Sequence, residues 1–196
     1  MNNTFLPMLF RMRHINRWAL MFSTQPESLS QHSLECAMLV HMLALIGNLE
    51  FGKQYSAERL CTYALYHDAT EILTGDLPTP VKYHSPEMRE TYRTLEAAAA
   101  QKLAGHLPER LRAAYLPYLT SEGLTPDETA LIKSADKLCA YIKCITEKNA
   151  GNGEFSGAYT AIAKEIGKNP LPEVKYFMEH CIEAFSLSLD GLGGAL

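Results

Sequence analysis

The sequence predicts an all-α fold in a single domain. Three observations carry this. Apolar residues recur at three- and four-residue steps through nearly the whole chain. No stretch alternates apolar and polar residues as a half-buried strand would. No linker or internal repeat divides the 196 residues, and a 47% hydrophobic content suits one sizeable core.

The first long helix is expected from about Ser30 to Ile46. Ser28 or Ser30 caps its start, Gly47 and Asn48 end it, and Leu34, Met38, His41, Met42 and Leu45 mark its buried face. Its methionines read as core filler. A second helix is expected from about Ala57 to Leu73, stopping near Gly75, and a third from Pro86 to Ala104. A short helix follows Pro108. Thr125, Pro126, Asp127 and Glu128 open another that reaches Asn149 and stops at "AGNG". Two more helical stretches lie around Phe155–Ile166 and Glu173–Ser188. The domain is expected over residues 1–189, with the Gly-rich residues 190–196 as a flexible tail.

Composition excludes several classes of function. The net charge is −4 with acids and bases interspersed, so no basic stripe offers itself to a nucleic-acid polymer. The five cysteines form no C-x-x-C pair and read as reduced, mostly buried thiols of a cytoplasmic protein. The N-terminus lacks a clear signal-peptide pattern. The greasiest run, "CAMLVHMLALIG", falls short of the about 20 residues of a bilayer span, so no membrane partner is expected.

The chemistry concentrates in "YHDATEILTGDLPTPVKY", residues 66–83. On a continuous helix Leu60, Ala64, His67 and Glu71 share one face, and Asp68 lies about 100° further round, close enough for His67 and Asp68 to meet one ion. Asp136 interrupts an otherwise apolar helix, where a carboxylate is costly to bury unless paired or metal-bound. An ion pair with Lys133, Lys137 or a neighbouring arginine explains it equally well. His32, alone near a helix start, reads more often as a core or cap-side histidine than as a ligand. His14, His41, His84, His106 and His180 have no motif around them.

Together these residues resemble a family. His32, then His67-Asp68 in an H-D-A-x-E string, then Asp136 resemble the HD superfamily of metal-dependent phosphohydrolases. "INRWALM", "SLSQHSLECAML", "LYHDATEILTGDLPTPVKY" and "SADKLCAYIKC" are similar to the bacterial 5'-deoxynucleotidases of that superfamily. The resemblance runs from about Arg11 to Leu189 and implies a helical bundle of the HD type.

It also implies that His32, His67, Asp68 and Asp136 hold one divalent ion, Co²⁺ or Mn²⁺ ahead of Fe²⁺, Ni²⁺ or Zn²⁺, since imidazoles with carboxylates suit them all. A water on that ion is acidified for attack on phosphorus. Glu71 would handle its proton, Arg17 would orient phosphate, and Trp18 would crowd a ribose 2'-hydroxyl. Asp68 and Asp136 would also face substrate. Gly75 ends the ligand helix, and Pro78 and Pro80 stiffen the loop behind it. There Asp76, Leu77, Pro78 and Thr79 would line the nucleoside, with Lys82 a weaker candidate for phosphate.

The implied function is hydrolysis of 2'-deoxyribonucleoside 5'-monophosphates to deoxynucleoside and phosphate, selective against ribonucleotides, by a homodimer. The alternatives are a cyclic-nucleotide phosphodiesterase, a nucleoside triphosphohydrolase and a non-catalytic nucleotide sensor.

Overall fold

A computed structural model describes residues 3–82 and 84–193, apart from the side chain of Thr79. The described residues are helical with no strand, only an isolated antiparallel bridge between Asn16 and Ser28. The helices, in chain order, are α1 (Phe5–Leu9), α2 (Leu29–Phe51), α3 (Ala57–Tyr66), α4 (Glu71–Thr74), α5 (Thr79–Lys82), α6 (Pro86–Ala104), α7 (Glu109–Thr120), α8 (Pro126–Asn149), α9 (Ser156–Ile166) and α10 (Pro172–His180). They fall into two compact units. The first holds Met1–Phe22, Pro26–Ala37 and Thr62–Thr125; the second holds Ser23–Gln25, Met38–Cys61 and Pro126–Leu196.

In the first unit, α6 packs against α1, α4 and α7. The core there is built from Phe5, Ala69, Ala100, Leu103, Ala104, Leu107 and Leu119, flanked by Met8, Leu9, Tyr66, Ile72, Tyr115 and Leu116. Three small alanines in this cluster let backbones approach closely, and Ala69 seats the segment that carries His67 and Asp68. Ser85 caps α6 by accepting from the Met88 amide at 3.2 Å, with Pro86 at the first helical position.

The second unit is organised by α8, which packs on α9 and on the 3₁₀ turn Ile182–Ser186. Its interior includes Leu131, Ala135, Leu138, Cys144, Phe155 and Phe177. Glu147 on α8 is 0% exposed. It accepts from the Thr24 amide at 2.9 Å, Thr24 Oγ1 at 2.8 Å, Ser23 Oγ at 3.2 Å and Asn152 Nδ2 at 2.8 Å, and pairs with Lys143 Nζ at 2.6 Å. This set of donors holds its carboxyl far below the usual range although burial works the other way. The result is a fixed Ser23–Gln25 segment. Gly47 is required nearby, since a Cβ there would sit 2.8 Å from both Glu173 Oε1 and the Tyr55 ring.

The structure departs from the expected helices at several points. Helix α2 begins at Leu29, on a capping box in which Gln31 N–H donates to Ser28 Oγ at 3.3 Å and Ser28 N–H donates to Gln31 Oε1 at 2.8 Å. It runs past Gly47 to Phe51 and ends at Gly52, φ +64°. At 23 residues it is long and apolar enough, by length and composition alone, to cross a bilayer, though close to half of it is buried inside the protein. Its expected core face is also reversed. Leu34, Met38, Met42 and Leu45 are exposed, Met38 by 61%, while Cys36, Ala37, Val40, Leu43 and Ala44 are buried. The helix is apolar on nearly every side, so periodicity could not choose one; the buried side is the one with small residues. The Glu173–Ser188 stretch is two elements, α10 and the 3₁₀ turn Ile182–Ser186. All five cysteines are free thiols, as expected. Part of the expected tail, residues 194–196, lies outside the described residues.

Candidate active site

The expected helix over Ala57–Leu73 is not continuous. α3 ends at Tyr66, and α4 starts at Glu71. Between them the hydrogen bonds tighten from four- to three-residue spacing: Ala69 N to Tyr66 O at 3.0 Å, Glu71 N to Asp68 O at 3.0 Å and Leu73 N to Thr70 O at 3.0 Å. Three-residue bonding advances each side chain further round the axis than an α-helix does. His67 and Asp68 stand in this turn, with His67 Nε2 3.1 Å from Asp68 Oδ2. Gly75, φ +75°, then stops α4.

Around Asp68 the side chains converge. Asp68 Oδ2 lies 3.1 Å from His67 Nε2, 3.5 Å from His32 Nε2 and 3.4 Å from Arg17 Nη1. His32, 0% exposed, stands on the first turn of α2, and its ring centroid is 5.3 Å from that of His67. His67 Nδ1 is 2.7 Å from the Ala64 carbonyl. A carbonyl only accepts, so Nδ1 carries the proton, and Nε2 is the nitrogen turned to Asp68. Burial alone would raise the Asp68 pKa, but the facing imidazoles of His67 and His32 hold it well below the usual carboxylate range. Two Nε2 atoms and a carboxylate oxygen meeting at these distances are a donor set that fits a divalent transition ion.

Glu71 sits beside this cluster, 1% exposed, with Oε1 2.6 Å from Lys82 Nζ. Burial, and then the Asp68 charge, push its pKa up to about 8 against the pull of Lys82. The Lys82 ammonium lies 4.9 Å from the Tyr92 ring centroid and is held protonated by Glu71, although burial opposes it. Lys82 comes from α5, a turn of helix where the sequence suggested only a loop; its amide and that of Val81 bond to the Pro78 carbonyl at 3.1 and 2.8 Å. Asp76, Leu77 and Pro78 are half-buried on the segment between α4 and α5. Burial raises the Asp76 pKa, with Arg17 and Lys82 pulling it down. Thr79 opens α5.

Trp18 adopts a left-handed backbone, φ +60°. Its Nε1 donates to Glu27 Oε2 at 3.1 Å. Asp136 stands half-buried on α8, a residue of the second unit. The first unit thus brings together Arg17, His32, His67 and Asp68, joins Trp18 to them through Glu27, and sets Glu71 against Lys82.

Two residues here escaped the sequence reading. Cys36 is buried with its Sγ and one nitrogen each of His32 and His67 all within 4.8 Å of one another. Its position four residues after His32 on α2 was a usable signal. Glu27 lies in a loop, where no periodicity marks it.

Two solved HD-domain structures share this fold. An HD-domain phosphohydrolase from Listeria innocua superposes with a TM-score of 0.80 at 23% identity, covering 93% of this chain and 88% of that one. A cyanophage S-2L HD phosphohydrolase, bound to dA and one catalytic Zn²⁺, superposes with a TM-score of 0.61 at 22% identity, covering 90% and 95%. The fold class is that of the HD phosphohydrolases.

Sequence similarity is more specific. The sequence model of the YfbR-like 5'-deoxynucleotidases matches residues 4–185. A 5'-deoxynucleotidase from Erwinia tasmaniensis is 46% identical over 186 residues, 95% of this chain and 94% of the relative. Another from Vibrio vulnificus is 45% identical, covering 95% and 96%. The chain belongs to the YfbR-like 5'-deoxynucleotidase family.

Proposed function

We propose that this protein hydrolyses 2'-deoxyribonucleoside 5'-monophosphates to deoxynucleoside and inorganic phosphate, and discriminates against ribonucleotides. Family membership supports the reaction class. The convergence of His32 and His67 on Asp68, with Arg17 beside them, is the observation that carries the site.

In this reading His32, His67, Asp68 and Asp136 hold one divalent ion, Co²⁺ or Mn²⁺ first. Asp136 is included on the sequence resemblance alone. Such an ion would supply an acidified water and a Lewis acid for a phosphate oxygen. Water adds to phosphorus, the bond to the 5'-oxygen breaks, and that oxygen takes a proton from solvent water. Glu71, buried and poised near neutrality, takes the water's proton. Arg17 offers a guanidinium to phosphate oxygens. Trp18 walls the sugar, and Asp76, Leu77, Pro78 and Thr79 line the nucleoside. Lys82 serves Glu71 rather than phosphate, because its ammonium is already engaged.

The chain is read as a cytoplasmic homodimer. The apolar stripe Met38, Met42, Leu45 and Leu49, the last 79% exposed, is the surface that favours self-association. Assay of dAMP against dATP and a cyclic nucleotide tests the substrate class. Phosphate release from dAMP alone supports the proposal; preferential turnover of dATP or the cyclic nucleotide replaces it with another HD chemistry.

A further inference from the structure

Residues 15–29 form a loop closed at its neck. The Asn16–Ser28 bridge, the Arg17 amide on the Glu27 carbonyl at 2.9 Å and the Leu29 amide on the Ile15 carbonyl at 2.8 Å bring its two ends together. At that neck the Glu27 side chain, about 11% exposed, faces three groups at once. Its Oε1 lies 3.1 Å from Arg17 Nε and 3.4 Å from His32 Nδ1, and its Oε2 accepts from Trp18 Nε1 at 3.1 Å. Each contact uses the atom that the site leaves over. Arg17 turns Nη1 to Asp68 and Nε to Glu27. His32 turns Nε2 to Asp68 and Nδ1 to Glu27.

We infer that Glu27 is a positioning residue that fixes the His32 imidazole for metal binding and the Arg17–Trp18 pair for substrate. This rests on the metal-dependent deoxynucleotidase reading above. A carboxylate on the second nitrogen of a ligating histidine sets its tautomer and strengthens it as a ligand. The same carboxylate anchors an indole whose backbone, at φ +60°, is in a conformation that non-glycine residues hold only when their surroundings impose it.

Glu27→Gln and Glu27→Ala separate the two tasks. Gln keeps an oxygen for the Trp18 indole but removes the charge that faces Arg17 and His32. Mn²⁺ affinity, read from the electron paramagnetic resonance of the free ion, is expected to fall about 10- to 100-fold in both variants. Trp18 is the only tryptophan, so its fluorescence reports the anchor without any turnover. Ala is expected to shift the emission to the red, raise acrylamide quenching and lower the dAMP-to-AMP ratio of kcat/KM. Gln is expected to restore the emission and the ratio but not the Mn²⁺ affinity. Unchanged Mn²⁺ affinity in Gln overturns the inference, whether or not Ala folds. A wild-type protein that binds Mn²⁺ but releases no phosphate from dAMP overturns the function instead, and leaves the affinity and fluorescence results to decide on Glu27.

Discussion

Lys82 Nζ lies 2.6 Å from Glu71 Oε1, and Glu71 is almost wholly buried. The pair puts a cation against a carboxylate beside the histidine cluster that burial drives toward its neutral form. Two opposed effects therefore set Glu71 near pH 8: burial and Asp68 raise it, and Lys82 lowers it.

Removing the cation should move the balance in one direction. A general base works deprotonated, and Lys82→Met takes away the group that favours that form. The rising limb of the kcat–pH profile should shift to higher pH. A limb that stays in place, or moves to lower pH, would show that Glu71 does not control it.

Glu71→Ala should spare metal binding and the helical fold while lowering kcat at least about a hundredfold. Steady-state kinetics with an Mn²⁺ titration on the same preparation checks both halves. Near-normal turnover would remove Glu71 from the mechanism.

Trp18→Gly offers a clean test of the sugar wall. Glycine accepts φ +60° freely, so the backbone relaxes where a non-glycine residue costs about 1 kcal/mol or more. The melting temperature should change little, while the preference for dAMP over AMP should weaken. An unchanged kcat/KM ratio would end the steric account without touching the phosphatase.

Asp136→Ala should lose the divalent ion and the activity together while circular dichroism stays helical. Full metal occupancy in that variant would remove Asp136 from the ligand set.

Much of this architecture was legible because helix signals are local. Ser85-Pro86 and Thr125-Pro126 announce the starts of α6 and α8, and both helices end where expected. The H-D-A-x-E string and "INRWALM" singled out His67, Asp68, Glu71, Arg17 and Trp18 through family resemblance rather than through spacing. The geometry between them was not legible. The tightened turn at residues 67–70 depends on Ala69 docking into a core formed with α1, α6 and α7, a tertiary effect that helical periodicity does not contain. The buried side of α2 was misread because nearly all its sides are apolar, and only packing distinguishes Cys36, Val40 and Ala44 from Met38 and Met42. Glu27 was invisible for a related reason: its partners Arg17, Trp18 and His32 are brought to it by a loop closure that no repeat spacing encodes.

The most direct measurement strips the purified protein with a chelator and follows phosphate release from dAMP and AMP as Co²⁺, Mn²⁺, Mg²⁺ or Zn²⁺ is restored. The account predicts no release from the stripped protein, recovery with Co²⁺ or Mn²⁺, and strong preference for dAMP. Full activity after complete removal of metal, or no release from dAMP with any ion, would contradict it.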